Sequence, residues 1–304
     1  MSKDVITKRL VRISKVIPYE KLLERKADDT ANIATYYRLN RLAYRFISSR
    51  DGFVHMGISS DGNLKKEDFL EQAKIISKYI HSMKASSVLE LAAGKAATTK
   101  FLANNHKDVA FTGLDLPNGQ LDINSSQFPN LKLIEGNYNS LARFENNTFD
   151  IVYIIEALCH AAKKEVVVKE VERVLRPGGV FIIFDGYASK SRTLMTQDEA
   201  LASDLIYTSM MVTKGDHTYD TLRNSLDSFG FSIVEEEDLS VNVLPTMYRF
   251  EKLALIYFKL PYFAKLLNKI LPLEVTGNAV AAYLMPLSVN QGLHQYWLTV
   301  AAKK

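Results

Sequence analysis

Between residues 87 and 185 the chain repeats one feature, a short apolar run that ends at an acidic residue, with helical segments between some of the runs. The runs are 87–91, 109–114, 131–134, 149–155 and 180–184, and the acids at their ends are Glu90, Asp115, Glu135, Glu156 and Asp185. Near-continuous apolar runs of this length read as strands buried on both faces. Residues 96–104 and 164–175 read as helices between them. In the second, Val167, Val168, Val171, Val174 and Leu175 share one face, and Arg176-Pro177-Gly178-Gly179 stops it. Strands that alternate with helices pair in parallel, because each crossover returns the chain to the same end of the sheet; helices then cover both faces.

The flanks extend this pattern. Phe69, Ala73, Ile76, Ile80 and Met83 recur at helical spacing within residues 64–83, and residues 1–60 read as helical segments with a turn near residues 48–52. Beyond the fifth run the rhythm breaks. Residues 189–212 read as a long helix with no strand before it, 219–229 as a helix, 231–234 as a sixth strand, 246–270 as helical, and 294–301 as a closing antiparallel edge strand. The expected fold is α/β: a mainly parallel, seven-stranded, Rossmann-like sheet with helices on both faces. Three regions follow: an N-terminal helical cap (1–84), a ligand-binding core (85–190), and a helical insertion after strand five with completion of the same sheet (191–304).

Composition narrows the class. With 304 residues, 47% hydrophobic, 14 Gly and 8 Pro, the chain is neither disordered nor collagenous, and one Cys cannot form an internal disulfide. A lone cysteine and a start without an apolar run point to a cytoplasmic location rather than secretion. Residues 1–50 hold twelve Lys/Arg against five Asp/Glu, which reads as a solvated helical face, because no nucleic-acid-binding motif accompanies the charge. Residues 275–302 carry no charge, but Asn278, Pro286, Asn290, Gln291, His294 and Gln295 interrupt them, against the ~20 apolar residues of a spanning helix. Residues 253–273 mix leucines and aromatics with Lys259, Lys265 and Lys269. They read as a core-packing helix with snorkelling lysines, the alternative being a peripheral membrane contact. His81, His106 and His217 read as surface residues, and Cys159 as a buried inert thiol.

Ligands of open α/β sheets sit beyond the carboxyl ends of the strands, where this chain places its acids. An acid after the second strand, Asp115, suits ribose hydroxyls, since a carboxylate accepts two hydrogen bonds at once. That alone fits a nicotinamide cofactor or S-adenosylmethionine. A dinucleotide site uses G-x-G-x-x-G to close backbone amides on a pyrophosphate. Here the first turn is Glu90-Leu91-Ala92-Ala93-Gly94-Lys95-Ala96, with one glycine, which suits a ligand carrying an ammonium, a carboxylate and a sulfonium. Glu90 capping the next helix is the plainer reading of that acid. Positive φ at Ala92 or Ala96 would be costly.

These residues resemble a known family. Glu90-x-Ala92-x-Gly94-x-Ala96 resembles the first motif of class I S-adenosylmethionine-dependent methyltransferases, with Ala at the outer two glycines. Asp115 matches the family's ribose-binding acid, and Gly136-Asn137-Tyr138 stands where a Gly-Asp pair touches adenine, with Asn in place of the acid. Asn147-Thr148-Phe149-Asp150-Ile151-Val152 and Leu175-Arg176-Pro177-Gly178-Gly179 resemble the family's fourth-strand motif and the loop before strand five. Ile155-Glu156-Ala157-Leu158-Cys159-His160-Ala161 is similar to a stretch of the sterol and related lipid C-methyltransferases. The aromatic and histidine residues Tyr36, Tyr37 and His55 resemble the cap of that group and of the quinone C-methyltransferases.

The resemblance implies S-adenosylmethionine as cofactor, held by Glu90, Ala92, Gly94, Asp115, Leu116, Asn137, Tyr138 and Ile155, and a substrate pocket that includes Tyr36, Tyr37 and His55. It implies no metal, and Cys159 beside His160 lacks partners at ligand spacing. Glu156 and His160, four apart, are the catalytic candidates: Glu156 to stabilise a developing carbocation, His160 as base or to orient the acceptor. Their plainer roles are cofactor binding or helix capping for Glu156, and a backbone-bonded structural histidine for His160. The implied activity is methylation, favouring carbon, of a small lipophilic isoprenoid-, sterol- or quinone-like acceptor. An O- or N-methyltransferase of a small metabolite, a nicotinamide-dependent oxidoreductase and a non-catalytic protein on the same scaffold stay open. Nucleic acid is not an expected partner, and the oligomeric state is not legible.

Overall fold

The computed structural model describes residues 3–25, 30–47, 52–117, 121, 127–213, 215 and 217–304; the turn expected near residues 48–52 falls mostly outside them. In chain order the elements are α1 (Lys3–Ser14), α2 (Tyr19–Leu23), α3 (Thr30–Ile47), α4 (Glu71–Met83), β1 (Ser87–Leu91), α5 (Ala97–Asn105), β2 (Ala110–Asp115), β3 (Leu131–Glu135), β4 (Phe149–Ile155), α6 (Lys164–Val174), β5 (Leu175–Ala188), α7 (Gln197–Ser209), α8 (Tyr219–Ser228), β6 (Phe231–Asp238), α9 (Ser240–Lys259), α10 (Pro261–Ile270), α11 (Leu273–Thr276), α12 (Asn278–Asn290) and β7 (His294–Lys303).

Among the described residues seven strands form one sheet in the order β3-β2-β1-β4-β5-β7-β6. β1 to β5 pair in parallel and β7 runs antiparallel to both its neighbours. Side chains alternate along each strand, so β4 sends Ile151 and Tyr153 into one core and Val152 and Ile154 into the other. Ile76 of α4 and Val243 of α9 complete the first core; Val167 and Val171 of α6 and Leu222 and Leu226 of α8 complete the second. The mainly parallel sheet clad on both faces is borne out.

Several boundaries differ from the sequence reading. The closing strand is not the edge: β7 lies inside, between β5 and β6. Leu298, Val300 and Ala301 are fully buried there, whereas β6 carries Glu235, Glu236, Glu237 and Asp238, and an acid-rich strand suits an exposed edge. β5 begins at Leu175 rather than residue 180; the Arg176-Pro177-Gly178-Gly179 segment is a bulged start of the strand, with Gly178 at φ +76°. α7 begins at Gln197, behind a capping box in which Thr196 and Glu199 bond each other's backbone N–H groups. The helical span 246–270 is two helices. Pro261 opens α10, and Leu260 before it is pushed out of helical geometry.

In the basic front end Lys8, Arg12, Lys15, Lys21 and Arg38 are exposed, as expected of a solvated face, while the apolar side packs inward. Ile6, Leu10 and Ile13 of α1 pack with Leu205 of α7 and Val280 and Leu284 of α12, forming a third core above the sheet. Arg9 pairs with Glu251 at 2.5 Å, Arg12 donates to the Tyr283 hydroxyl at 3.0 Å, and Arg25 donates to the carbonyls of Thr208 and Ser209. These arginines tie the N-terminal helices to the insertion; Arg9 and Arg25 are half-buried and Arg12 stays exposed. His106 and His217 are buried, contrary to expectation: His106 bonds Ser77, and His217 bonds Lys164. His81 is exposed as expected, and Cys159 is half-buried. No helix among the described residues is long and apolar enough to cross a membrane. Within 253–273 only part packs inward: Ala254, Phe258 and Ala264 are buried, but Leu253, Ile256, Leu260, Tyr262, Phe263, Leu266 and Ile270 are exposed.

Candidate functional site

Strand order reverses between β1 and β4, and the carboxyl ends of β1, β2, β4 and β5 converge beside that switch. A cavity of about 520 Å³ opens there. Glu90, Ala92, Gly94, Asp115, Leu116, Asn137, Tyr138, Ile155, Glu156, His160, Tyr36, Tyr37 and His55 all line it. The fold thus gathers into one wall every site residue singled out from the sequence.

The turn after β1 holds Ala92, Gly94 and Ala96 in left-handed geometry, with φ of +56°, +55° and +55°. Backbone bonds from Ala93 to the Leu114 carbonyl (2.9 Å) and from Ala96 to the Ala93 carbonyl (2.7 Å) close it. Gly94 donates its N–H to Asp115 Oδ2 at 2.5 Å, fixing the carboxylate at the end of β2. Burial raises the Asp115 pKa although N–H groups of Gly94 and Leu116 oppose the shift. Glu90 turns toward α5, accepting from the Thr99 hydroxyl, which in turn contacts the Tyr153 hydroxyl at 3.1 Å. This bond ties the end of β1 to the first turn of α5 through side chains; burial pushes the Glu90 pKa up to about 8. Asn137 accepts the Asn139 N–H through its side-chain oxygen (2.9 Å), and Tyr138 donates its hydroxyl to the Ala157 carbonyl (3.0 Å).

Glu156 leaves β4 with φ +51°, a strained angle for a side chain of this size. Its Oε1 accepts the Met56 N–H at 2.7 Å and the Tyr296 hydroxyl at 2.9 Å. Burial nevertheless raises its pKa to about 7. The short helix Leu158–His160 that follows is 3₁₀, so Glu156 and His160 do not share an α-helical face; they meet by lining the same cavity. His160 Nδ1 lies 2.8 Å from the Met211 carbonyl, so Nδ1 carries the proton and Nε2 accepts from the Tyr37 hydroxyl at 2.7 Å. Burial lowers its pKa, keeping the ring neutral. Tyr36 packs edge-on against Tyr37 and donates to Asn278 at 2.6 Å. His55 sits between Phe53 and Phe69 with Nδ1 on the Met56 carbonyl, and its Nε2 is enclosed, so its ring steadies the Met56 backbone that holds Glu156.

Sequence reasoning left out Asp185 and Tyr296 as site residues. Asp185 was visible as the acid closing the fifth apolar run; it accepts the Cys159 N–H at 2.9 Å, and burial raises its pKa to about 6. Tyr296 carried no signal beyond an aromatic in an apolar strand. The far end of the cavity, built by Met247, Phe250 and Tyr257 of α9 and Met285 and Val289 of α12, likewise has no motif.

The charged lining is lopsided: Glu90, Asp115, Glu156 and Asp185 against Lys95. A diphosphate would meet four carboxylates, whereas a sulfonium and an ammonium are welcome among them. The donor set therefore fits S-adenosylmethionine. Among the described residues no cluster has the make-up of a metal centre.

Residues 89–183 match the methyltransferase domain family. The chain is 33% identical over 112 residues to a sterol 24-C-methyltransferase from Kluyveromyces lactis, a match covering 37% of this chain and 30% of that protein. It is 30% identical over 144 residues to an O-methyltransferase from Aspergillus nomiae, covering 44% and 63%. Each match spans less than two thirds of the relative's length. The fold resembles geranyl diphosphate C-methyltransferase from Streptomyces coelicolor, solved with Mg2+, geranyl-S-thiolodiphosphate and S-adenosyl-L-homocysteine; the TM-score is 0.60 at 14% identity, covering 95% of this chain and 99% of that one.

Proposed function

We propose that the chain, whose residues 89–183 match the methyltransferase domain family and are similar to sterol 24-C-methyltransferases, uses S-adenosylmethionine to methylate a carbon of a small lipophilic acceptor of isoprenoid, sterol or quinone type. The observation that carries the reading is the continuity of one cavity from the acid-rich strand ends to the apolar chamber of α9 and α12. The acidic lining favours a neutral or cationic acceptor over a diphosphate. Such an acceptor resides in bilayers, so the reading includes peripheral membrane contact.

In this reading Asp115 holds the ribose hydroxyls, Asn137 the adenine edge, Glu90 and the Gly94 turn the amino-acid end, and Ala92, Leu116, Tyr138 and Ile155 pack the adenosyl group. When bound, S-adenosylmethionine supplies a methyl group activated by positive sulfur. The chain's task is then positioning and electrostatics: the acceptor carbon must approach to ~3–3.5 Å along the line of displacement. Glu156, Tyr37 and Tyr296 line the same cavity; in this reading the Glu156 carboxylate and the two aromatic faces stabilise the positive charge that develops on a methylated alkene. Tyr37 takes the departing proton as its own passes to Nε2 of His160. The same Tyr37–His160 relay would serve a hydroxyl or amine acceptor, which keeps O- or N-methylation as the second reading.

Isothermal titration is expected to show S-adenosylmethionine and its demethylated product binding at micromolar affinity. Asp115→Ala should lose most of that affinity with an unchanged circular dichroism spectrum. Absence of heat with either compound, on folded protein, ends the methyl-transfer reading; an Asp115→Ala variant of normal affinity ends the ribose assignment.

A further inference from the structure

Given the lipophilic acceptor proposed for the cavity, we propose that α10 and the end of α9 form a docking face for an anionic lipid bilayer, with the acceptor entering from the membrane beside it. On α10, Tyr262, Leu266, Ile270 and Phe263 fall within about 100° of arc, and Lys265 and Lys269 flank that arc on one side. Tyr262 is 90% exposed and Ile270 69%, while Ala264 on the opposite side is fully buried. The helix is therefore seated by its small face and offers its large apolar side chains to the surroundings. A soluble surface scatters such residues singly; a contiguous set calls for a partner.

The charges around the patch say which partner. Residues 240–277 carry five basic side chains, Arg249, Lys252, Lys259, Lys265 and Lys269, against two acids, Glu251 and Glu274. Glu251 is engaged by Arg9. Apolar side chains bordered by cations complement anionic headgroups over acyl chains. A second copy of the chain fits less well, since a two-fold contact through α10 would bring the same lysines together.

Position links the face to the cavity. Leu253 and Leu271, at its margin, are exposed and also line the cavity, and Tyr257 and Leu267 continue the lining inward. The chamber opens at the patch, so an apolar molecule can pass from the bilayer to Glu156 without crossing water.

The test is sedimentation of the full chain with vesicles of phosphatidylcholine mixed with phosphatidylserine, against phosphatidylcholine alone. The expected result is binding to the mixed vesicles that weakens with salt. Partitioning should fall about fivefold for each of Lys265→Gln and Lys269→Gln, and by more than tenfold in the combined Tyr262→Ser, Phe263→Ser, Ile270→Ser variant. All five side chains are exposed, so these variants keep the fold. Wild-type protein that stays in the supernatant, or a triple variant that sediments equally, overturns the proposal. So does a wild-type dimer that the triple variant dissociates. S-adenosylmethionine titration separates the two claims: vesicle binding without cofactor binding refutes methyl transfer and leaves the docking face, and the converse outcome does the reverse.

Discussion

Ala92 and Ala96 occupy left-handed backbone positions that glycine would hold without strain. They are not equivalent. Ala92 lies half-exposed on the cavity wall, whereas Ala96 is fully buried and its methyl group packs in the core. Ala92→Gly should raise stability by about 1 kcal/mol, the penalty of the left-handed angle. Ala96→Gly should leave it nearly unchanged, because the relieved strain is offset by about 0.8 kcal/mol of lost methyl burial. Denaturant titrations of both variants check this; equal gains would mean that strain alone governs the turn. At this scale the candidate site was largely legible, because acids that end apolar runs must cluster at one end of a parallel sheet. What the sequence concealed was hydrogen-bond direction. Nothing in it says that Glu156 accepts from Met56 and Tyr296, or that Tyr37 takes up the free nitrogen of His160.

Among the elements, the parallel strands were readable from their apolar runs, and errors fell where a local signal was overridden or missed. The Thr196-x-x-Glu199 capping box marks the start of α7, yet residues 189–195 contain no glycine or proline to break a helix ahead of it. Thr196→Ala should cost about 1 kcal/mol, read as a lower denaturation midpoint at unchanged slope; an unaltered midpoint would mean that packing in the upper core sets the boundary alone. Pro261 gave a sufficient stop signal, while Pro245 lies inside α9 without ending it. The place of β7 depends on which strand tolerates an exposed edge, a comparison between distant segments that periodicity within one segment does not make.

In the whole molecule, the cavity joins an acid-lined half on the sheet to an apolar half on helices, and only the first had a motif. The acids make stability depend on pH. Burial lifts Glu156 from 4.5 to about 7, Asp185 from 3.8 to about 6 and Glu90 from 4.5 to about 8. Their contribution is fully present below the ordinary values and is lost as pH rises to the raised ones, because the native state then holds protons that the unfolded chain has released. Below about pH 6.5 the buried rings of His55, His160 and His294, held neutral by burial, oppose this slope, so the ligand-free protein should show a falling Tm between about pH 6.5 and pH 8, with a shallower fall in Glu156→Gln; a rise over that range, or parallel slopes, would contradict it. The interior position of β7 has a consequence for biosynthesis. On the ribosome, β6 emerges before β7, its one partner among the described residues, and β5 waits with one flank bare. The sheet cannot close, nor can Tyr296 reach Glu156, until the last of these segments has left the exit tunnel and threaded between two strands made earlier.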